Sequence, residues 1–219
     1  MNGLTYEPSP LALSAQVIVN CGAGGSCFGG DPHAVYRFAY KEGIPHASCE
    51  QYVAHNPLNG EFDCQAIDKC KDCTGPPPPM GETMQENCWA TDYHHYYVSN
   101  YYALSTAERM KAEIYKYGPI ECGIESTEKF DTTYTGGIYE ELIANPEINH
   151  SISVIGWGVE ESTGIEYWIG RNSWGTYWGE FGFFKMRAGE YGLGIENDCS
   201  AGVPTNMPPQ HEEQVTIIQ

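Results

Sequence analysis

The chain has 219 residues, 41% of them hydrophobic and 13% aromatic, which is enough to build a core and excludes wholesale disorder. Its 29 Asp+Glu against 11 Lys+Arg give a formal net charge of −18, which argues against nucleic acid and anionic lipid as partners. No run of 18 or more apolar residues occurs, so no membrane span is expected, and the length suits one large domain or two small lobes sharing an interface.

Cysteine usage is more specific than charge. The nine cysteines are Cys21, Cys27, Cys49, Cys64, Cys70, Cys73, Cys88, Cys122 and Cys199, and seven of them fall within residues 21–88 among Gly, Pro and Asn. Loop-rich sequence of that density reads as a disulfide framework, hence as a secretory or endolysosomal product. Zinc is the rival use of such thiols. Cys70-Lys-Asp-Cys73 is a lone CxxC with no second pair at ribbon spacing, so no metal is expected. Nine is odd, so at least one cysteine lacks an internal partner. An excess of carboxylates suits an acidic compartment, where partial protonation relieves self-repulsion. The opening residues, MNGLTYEPSPLALSAQVIVNC, contain neither a basic n-region nor a clean apolar h-region, so no signal peptide is read in them.

In chain order, residues 1–10 read as an irregular lead-in. LSAQVIVN predicts a short helix with Ser14 as its N-cap. CGAGGSCFGGD is a glycine-rich loop. A G-x-G-x-x-G fingerprint would need Gly at position 27, where Cys stands, and the Lys-Ser/Thr of a P-loop is absent. PHAVYRFAYKEG predicts a helix starting near Pro32, with Val35, Phe38 and Ala39 on one face and Gly43 as its stop. Residues 44–90 are loop-like, and GPPPP at 75–79 is either an SH3-type ligand or a stiff loop tip between disulfides. TDYHHYYVSNYY, 91–102, predicts a strand on which His94 and His95 face opposite sides and share no metal. STAERMKAEIYKYGP is the clearest helix. Ser105 and Glu108 predict a capping box, Met110, Ile114 and Tyr117 recur at helical spacing, and Gly118-Pro119 ends it. IECGIE and the segments 151–158, 165–171 and 181–187 predict strands, so the second half is one helix leading into an antiparallel β region. Beyond about residue 203 the sequence reads as a mobile tail. The expected divisions are residues 1–90, 91–202 and 203–219.

The chemistry is carried by NHSISVIGWG, 149–158, and RNSWGTYWGEFGFF, 171–184. A thiol nucleophile needs a base to hold it as thiolate, and the base needs a third group to fix its ring. An Asn carbonyl accepts the imidazole N–H without adding charge, and a neighbouring Trp shields that bond from water. His150, Asn172 and Trp174 fit these roles, although a lone His in a strand is usually just a buried polar residue. Further motifs accompany them: LSAQ followed by Cys21, GSCFGG at 25–30, YKYGPI at 115–120, YTGGIY at 134–139, EYWIGRNSWG and the late Cys199. In this order, over about residues 11–200, the sequence resembles the papain family of cysteine peptidases. TAERMKAEIYKYGPIECGI, EYWIGRNSWG and the crowded cysteines are most similar to its cathepsin X (cathepsin Z) branch, which trims residues from peptide C-termini.

The resemblance implies an α+β, papain-like two-lobe fold. Its left helical lobe would be incomplete, and its right lobe an antiparallel β-barrel-like sheet with a helix. It implies His150 as general base, Asn172 as its orienter and Trp174 as their cover. Gly29 and Gly30 would offer backbone to an extended substrate, and Asn149 would present its carbonyl to the substrate backbone. Asn149-His150-Ser151 matches a glycosylation sequon, and placement in the cleft argues against its use. The implied disulfides are Cys21–Cys64, Cys49–Cys70, Cys73–Cys88 and Cys122–Cys199, leaving Cys27 unpaired; sequence alone leaves the connectivity open. The Cys122–Cys199 bridge would contribute about 4 kcal/mol in the chain-entropy account. Implied partners are peptide or protein substrates and protein inhibitors of cysteine peptidases, with no cofactor, in a lysosomal or secreted setting.

The family's nucleophile belongs to a Gln…Cys-Gly-Ser-Cys-Trp segment upstream of LSAQ, and no cysteine precedes Ser14. Cys88-Trp89-Ala90 echoes part of it, but follows the Gly-Gly motif and lacks the preceding Gly-Ser. The nucleophile and the oxyanion Gln are therefore expected to be missing. On that expectation the sequence is an N-terminally truncated fragment, inactive as given, in which apolar faces near Val17, Val35 and Phe38 lack their main partner. The alternative is a non-catalytic papain-like protein that binds peptides or inhibitors.

Overall fold

Residues 12–54, 64–74 and 88–208 are described by the computed structural model, and they divide into two units, 12–99 with 204–208 and 100–203. The expected lead-in, the GPPPP stretch and the tail from residue 209 lie outside the described residues.

Capping sets the helices of the first unit. Ser14 Oγ accepts the Val17 N–H at 3.2 Å and starts α1 (Ala15–Asn20). Asp31 Oδ1 accepts the His33 N–H at 2.9 Å and Pro32 opens α2 (Pro32–Lys41). Gly43 follows α2 at a φ of 72°, a conformation that side chains rarely adopt. Between these helices β1 (Gly25–Ser26) and β2 (Gly29–Gly30) pair antiparallel. A third helix, α3 (Ala66–Lys69), carries a reciprocal capping box of Gln65 and Asp68. It leads into the antiparallel pair β3 (Lys71–Cys73) and β4 (Cys88–Ala90). The buried apolar side chains here are few, chiefly Val17, Ala23, Ala39 and Ile44. So small a core needs covalent help, and the bridges Cys21–Cys64, Cys49–Cys70 and Cys73–Cys88 supply it. Val17, expected to lack its main partner, is fully buried.

The rest of the chain forms β5 (Tyr97–Leu104), α4 (Ala107–Tyr117), β6 (Ile120–Ile124), α5 (Glu128–Thr133), β7 (Ile138–Tyr139), β8 (His150–Val159), β9 (Glu166–Arg171), β10 (Phe183–Arg187) and β11 (Cys199–Thr205). Seven strands make one sheet in the order β5-β11-β6-β8-β9-β10-β7. Met110 and Ile114 of α4 and Phe130 of α5 pack with Ile152, Val154, Trp168, Phe184 and Met186 of the strands into one core.

Six expectations need correction. The sheet is not barrel-like: it is open, with β5 and β7 at its two ends. Nor is it purely antiparallel, because β7 runs parallel to β10, and β8 and β9 provide the long crossover that a parallel pair requires. Two helices, not one, accompany it. At α4 the N-cap is Thr106, whose Oγ1 accepts the Arg109 N–H at 3.3 Å. With Arg three residues on there is no capping box, and Glu108 acts only as a first-turn carboxylate. The strand expected over 91–102 begins at Tyr97, and residues 91–95 carry no ladder. There the rings pair at i and i+2 instead: Tyr93 with His95, 4.0 Å between centroids, and His94 with Tyr96, 4.5 Å. Finally, β11 continues to Thr205, past the expected start of the tail.

Candidate active site

The alternation of β8 aims its histidine. Ile152 and Val154 are buried, so residues of even number face the core, and His150, at the strand's first position, lies on that face, half-buried at its rim. Serines occupy the opposite face, where Ser151 Oγ donates to Glu121 Oε1 at 2.5 Å. On β9 the same parity buries Trp168 and brings Gly170 against the Phe184 ring, where a Cβ would come within 2.1 Å of a ring carbon. Asn172 is the next residue of that parity, and its N–H donates to the Gly182 carbonyl at 2.9 Å. Ser153 stands opposite Arg171 in the β8–β9 ladder, so one step further Asn172 falls diagonal to His150 on the core face.

The two side chains meet with His150 Nε2 at 2.9 Å from Asn172 Oδ1. The backbone N–H of Ser173 also reaches Oδ1, at 2.8 Å. A backbone N–H only donates, so the atom facing it is oxygen, and the amide orientation is settled by its partners. His150 must then present Nε2–H to that oxygen, which leaves the lone pair on Nδ1. Asn172 is buried, 6% exposed, so the bond is made away from bulk water. Trp174 covers it, its ring 4.9 Å from the imidazole and tilted by 30°. Trp178 meets Trp174 edge-on at 5.2 Å and donates its Nε1–H to the Asp131 carbonyl at 2.9 Å. This arrangement can accept a proton on Nδ1, stabilise the resulting imidazolium through a neutral carbonyl, and return the proton.

The structure places the other expected residues as follows. Asn149 is exposed; its Oδ1 accepts the Ser126 N–H at 2.7 Å and its Nδ2 donates to the Ser126 carbonyl at 3.3 Å. Gly29 and Gly30 are exposed on β2. A Cβ on Gly30 would come within 2.4 Å of the Gly24 carbonyl oxygen, so glycine is required there by close approach of backbone. The four cysteine pairs named above are brought into bonds, and Cys27 is left free and exposed. Among the described residues no group of three or more His, Cys, Asp or Glu side chains could hold a metal ion.

The papain family cysteine protease profile matches residues 4–203. The chain belongs to the papain family of cysteine proteases. Within that family it is 43% identical to cathepsin Z of Onchocerca volvulus over 198 residues, 87% of this chain and 59% of that one. It is 31% identical to the cathepsin B-like cysteine proteinase 6 of Caenorhabditis elegans over 207 residues, 89% of this chain and 53% of that one. Among solved structures it superposes on procathepsin B S9 of Trypanosoma congolense with a TM-score of 0.67 and 27% identity, covering 90% of this chain and 61% of that one. The chain therefore spans a little over half the length of the curated relatives it matches.

Within this papain-family site, sequence reasoning missed the residues around the base. Ser126 and Asp131 lie on a turn and a short helix with no motif, and Trp178 stood inside the quoted NSWGTYWG stretch without a role. The YTGGIY and GEFGFF motifs also meet one another. Glu180 Oε1 accepts the Gly137 N–H at 2.8 Å, and Tyr134 donates its hydroxyl to the Gly137 carbonyl at 2.8 Å. Burial pushes the Tyr134 phenol up to about 12.

Proposed function

We propose that this chain carries the base, orienter and cover of a papain-type cysteine peptidase of the cathepsin X kind, acting on peptides or proteins from their C-termini in a lysosomal or secreted setting. The observation that supports it most directly is the His150 Nε2 to Asn172 Oδ1 bond of 2.9 Å beneath Trp174. In this reading His150 Nδ1 takes the proton of a thiol, the thiolate attacks the peptide carbonyl, and the imidazolium returns the proton to the leaving amine. Asn172 keeps the ring in the tautomer that leaves Nδ1 free. Within the first unit Gly29 and Gly30 have exposed backbone to offer an extended peptide, and within the second the Asn149 carbonyl is taken to do the same.

Eight of the nine cysteines are consumed in disulfides, and Cys27 follows α1 rather than preceding it. Among the described residues no cysteine takes the nucleophile's place, so in this reading the chain by itself is expected not to hydrolyse peptides. The same observation favours a second reading, a papain-like protein that binds peptides or protein inhibitors without cutting. A chimera decides between them. The chain is joined in frame to the part of the Onchocerca cathepsin Z that its match leaves uncovered, and assayed on fluorogenic peptides. The peptidase reading expects turnover, and a loss of roughly 10³-fold in kcat/KM for His150→Ala. An inert, folded chimera that still retains peptide supports the binding reading.

A further inference from the structure

We infer that Ser126, Asp131 and Trp178 are positioning residues for His150, joined with Asn149 and Trp174 into a closed circuit that holds the imidazole at one face and its backbone at the start of β8. The inference rests on the reading of His150 as the base. The circuit runs through named contacts. Asn149, the chain neighbour of His150, clasps the backbone of Ser126 through both atoms of its amide, at 2.7 and 3.3 Å. Ser126 Oγ donates to Asp131 Oδ1 at 2.5 Å, which ties the turn to α5. The Asp131 carbonyl accepts the Trp178 Nε1–H at 2.9 Å. Trp178 packs edge-on against Trp174, and Trp174 lies on the His150 ring.

An imidazole held only through Nε2 is free to rock about the axis of that bond. Asn172 supplies the axis, and the face of Trp174 blocks the rocking. Trp174 is half-buried and no hydrogen bond of its indole anchors it among the described residues, so its place depends on the ring behind it. Trp178 is buried and would leave an orphan N–H if the Asp131 carbonyl moved away. Displacing α5 would therefore be felt at Trp174 and His150. The other end of the circuit fixes the backbone where β8 begins, through Asn149 and through its N–H to the Ile124 carbonyl at 3.0 Å.

The test uses the 219-residue chain and the low-field NMR signal of His150 Nε2–H, which reports on positioning whether or not peptides are cut. Ser126→Ala removes one link with little change of bulk, Trp178→Phe removes another together with the pyrrole ring, and Ser126→Thr restores the hydroxyl. Exchange of Nε2–H with water should rise about fivefold to tenfold in the first two and return in the third, the size that one hydrogen bond's net worth sets. The Trp168 Nε1–H, bonded to Glu196 at 2.8 Å in the same core but outside the circuit, serves as control and should keep its exchange rate. Unchanged exchange at His150, or equal change at His150 and Trp168, would overturn the inference. Absence of the bonded His150 signal in the unsubstituted chain would instead overturn the base reading, and the inference with it.

Discussion

The amide of Asn172 is fully used on one side and idle on the other. Its Oδ1 takes two donors, while Nδ2 is buried with no hydrogen-bond partner among the described residues. A buried N–H left unpaired costs about 1–3 kcal/mol, which a residue chosen for stability alone would avoid. A second polar group near the site works the other way. Glu141 accepts the hydroxyls of Tyr139 and Thr127, and the Tyr139 bond, its largest influence, holds the Glu141 carboxyl below its ordinary value. Tyr139 agrees in direction: burial first, then the bond to Glu141, pushes its phenol up to about 12. A carboxyl with a depressed folded value adds stability that is fully present above its unfolded value, near 4.3, and is lost as pH falls through the folded value. Tyr139→Phe should therefore lower Tm at pH 6 and make little difference near pH 2, by thermal melts across that range. An equal deficit at both pH values would show that the phenol contributes packing and no linkage.

Among the elements, capping and periodicity carried most of what could be read in advance. Ser14 and Pro32 start their helices where expected because a cap is a contact between residues two or three apart and a proline presets φ at the first helical position. The same logic corrects α4: Thr106, with extended backbone, holds the cap, and Ser105 does not. Thr106→Ala should cost about 1 kcal/mol in urea unfolding, and Ser105→Ala only a few tenths. Comparable losses at both would mean that the cap is shared. α5 escaped notice because six residues, EKFDTT, are too short for a hydrophobic stripe; the Thr127 cap, the burial of Phe130 and the contacts of Asp131 hold it in place. β7 escaped because a two-residue strand has no period, and its pairing to β10 comes from a distant part of the chain.

Across the whole molecule the two units rely on different forces. The second has a continuous apolar core and needs one bridge, between Cys122 and Cys199, which stand opposite one another on β6 and β11. Their separation of 77 residues makes that bridge the most constraining of the four. Replacing both by Ala should lower unfolding stability by about 4 kcal/mol or more, since the vacated core space adds to the lost chain constraint. Denaturant titration of the second unit's tryptophans checks this, and a loss below about 1 kcal/mol would mean that the sheet register alone keeps β11 in place.

Family membership and three of the five described helices were legible in the residues themselves, His150 and Asn172 stood out as a candidate pair, and the cysteine pairing came only with the resemblance. Those features are local or recur as motifs: a cap spans one turn, and a strand's alternation sets which residues share a face. The tertiary structure decided the rest. That His150 and Asn172 meet depends on the β8–β9 register, and the tautomer depends on the Ser173 N–H that orients the amide. An open, mixed sheet in place of an antiparallel barrel follows from β7 finding β10 past two intervening strands. The support behind Trp174 depends on a hydrogen bond between residues 47 apart, Asp131 and Trp178. Contacts of that kind have no period and no fixed spacing, so they exist only once the sheet has brought the distant segments together.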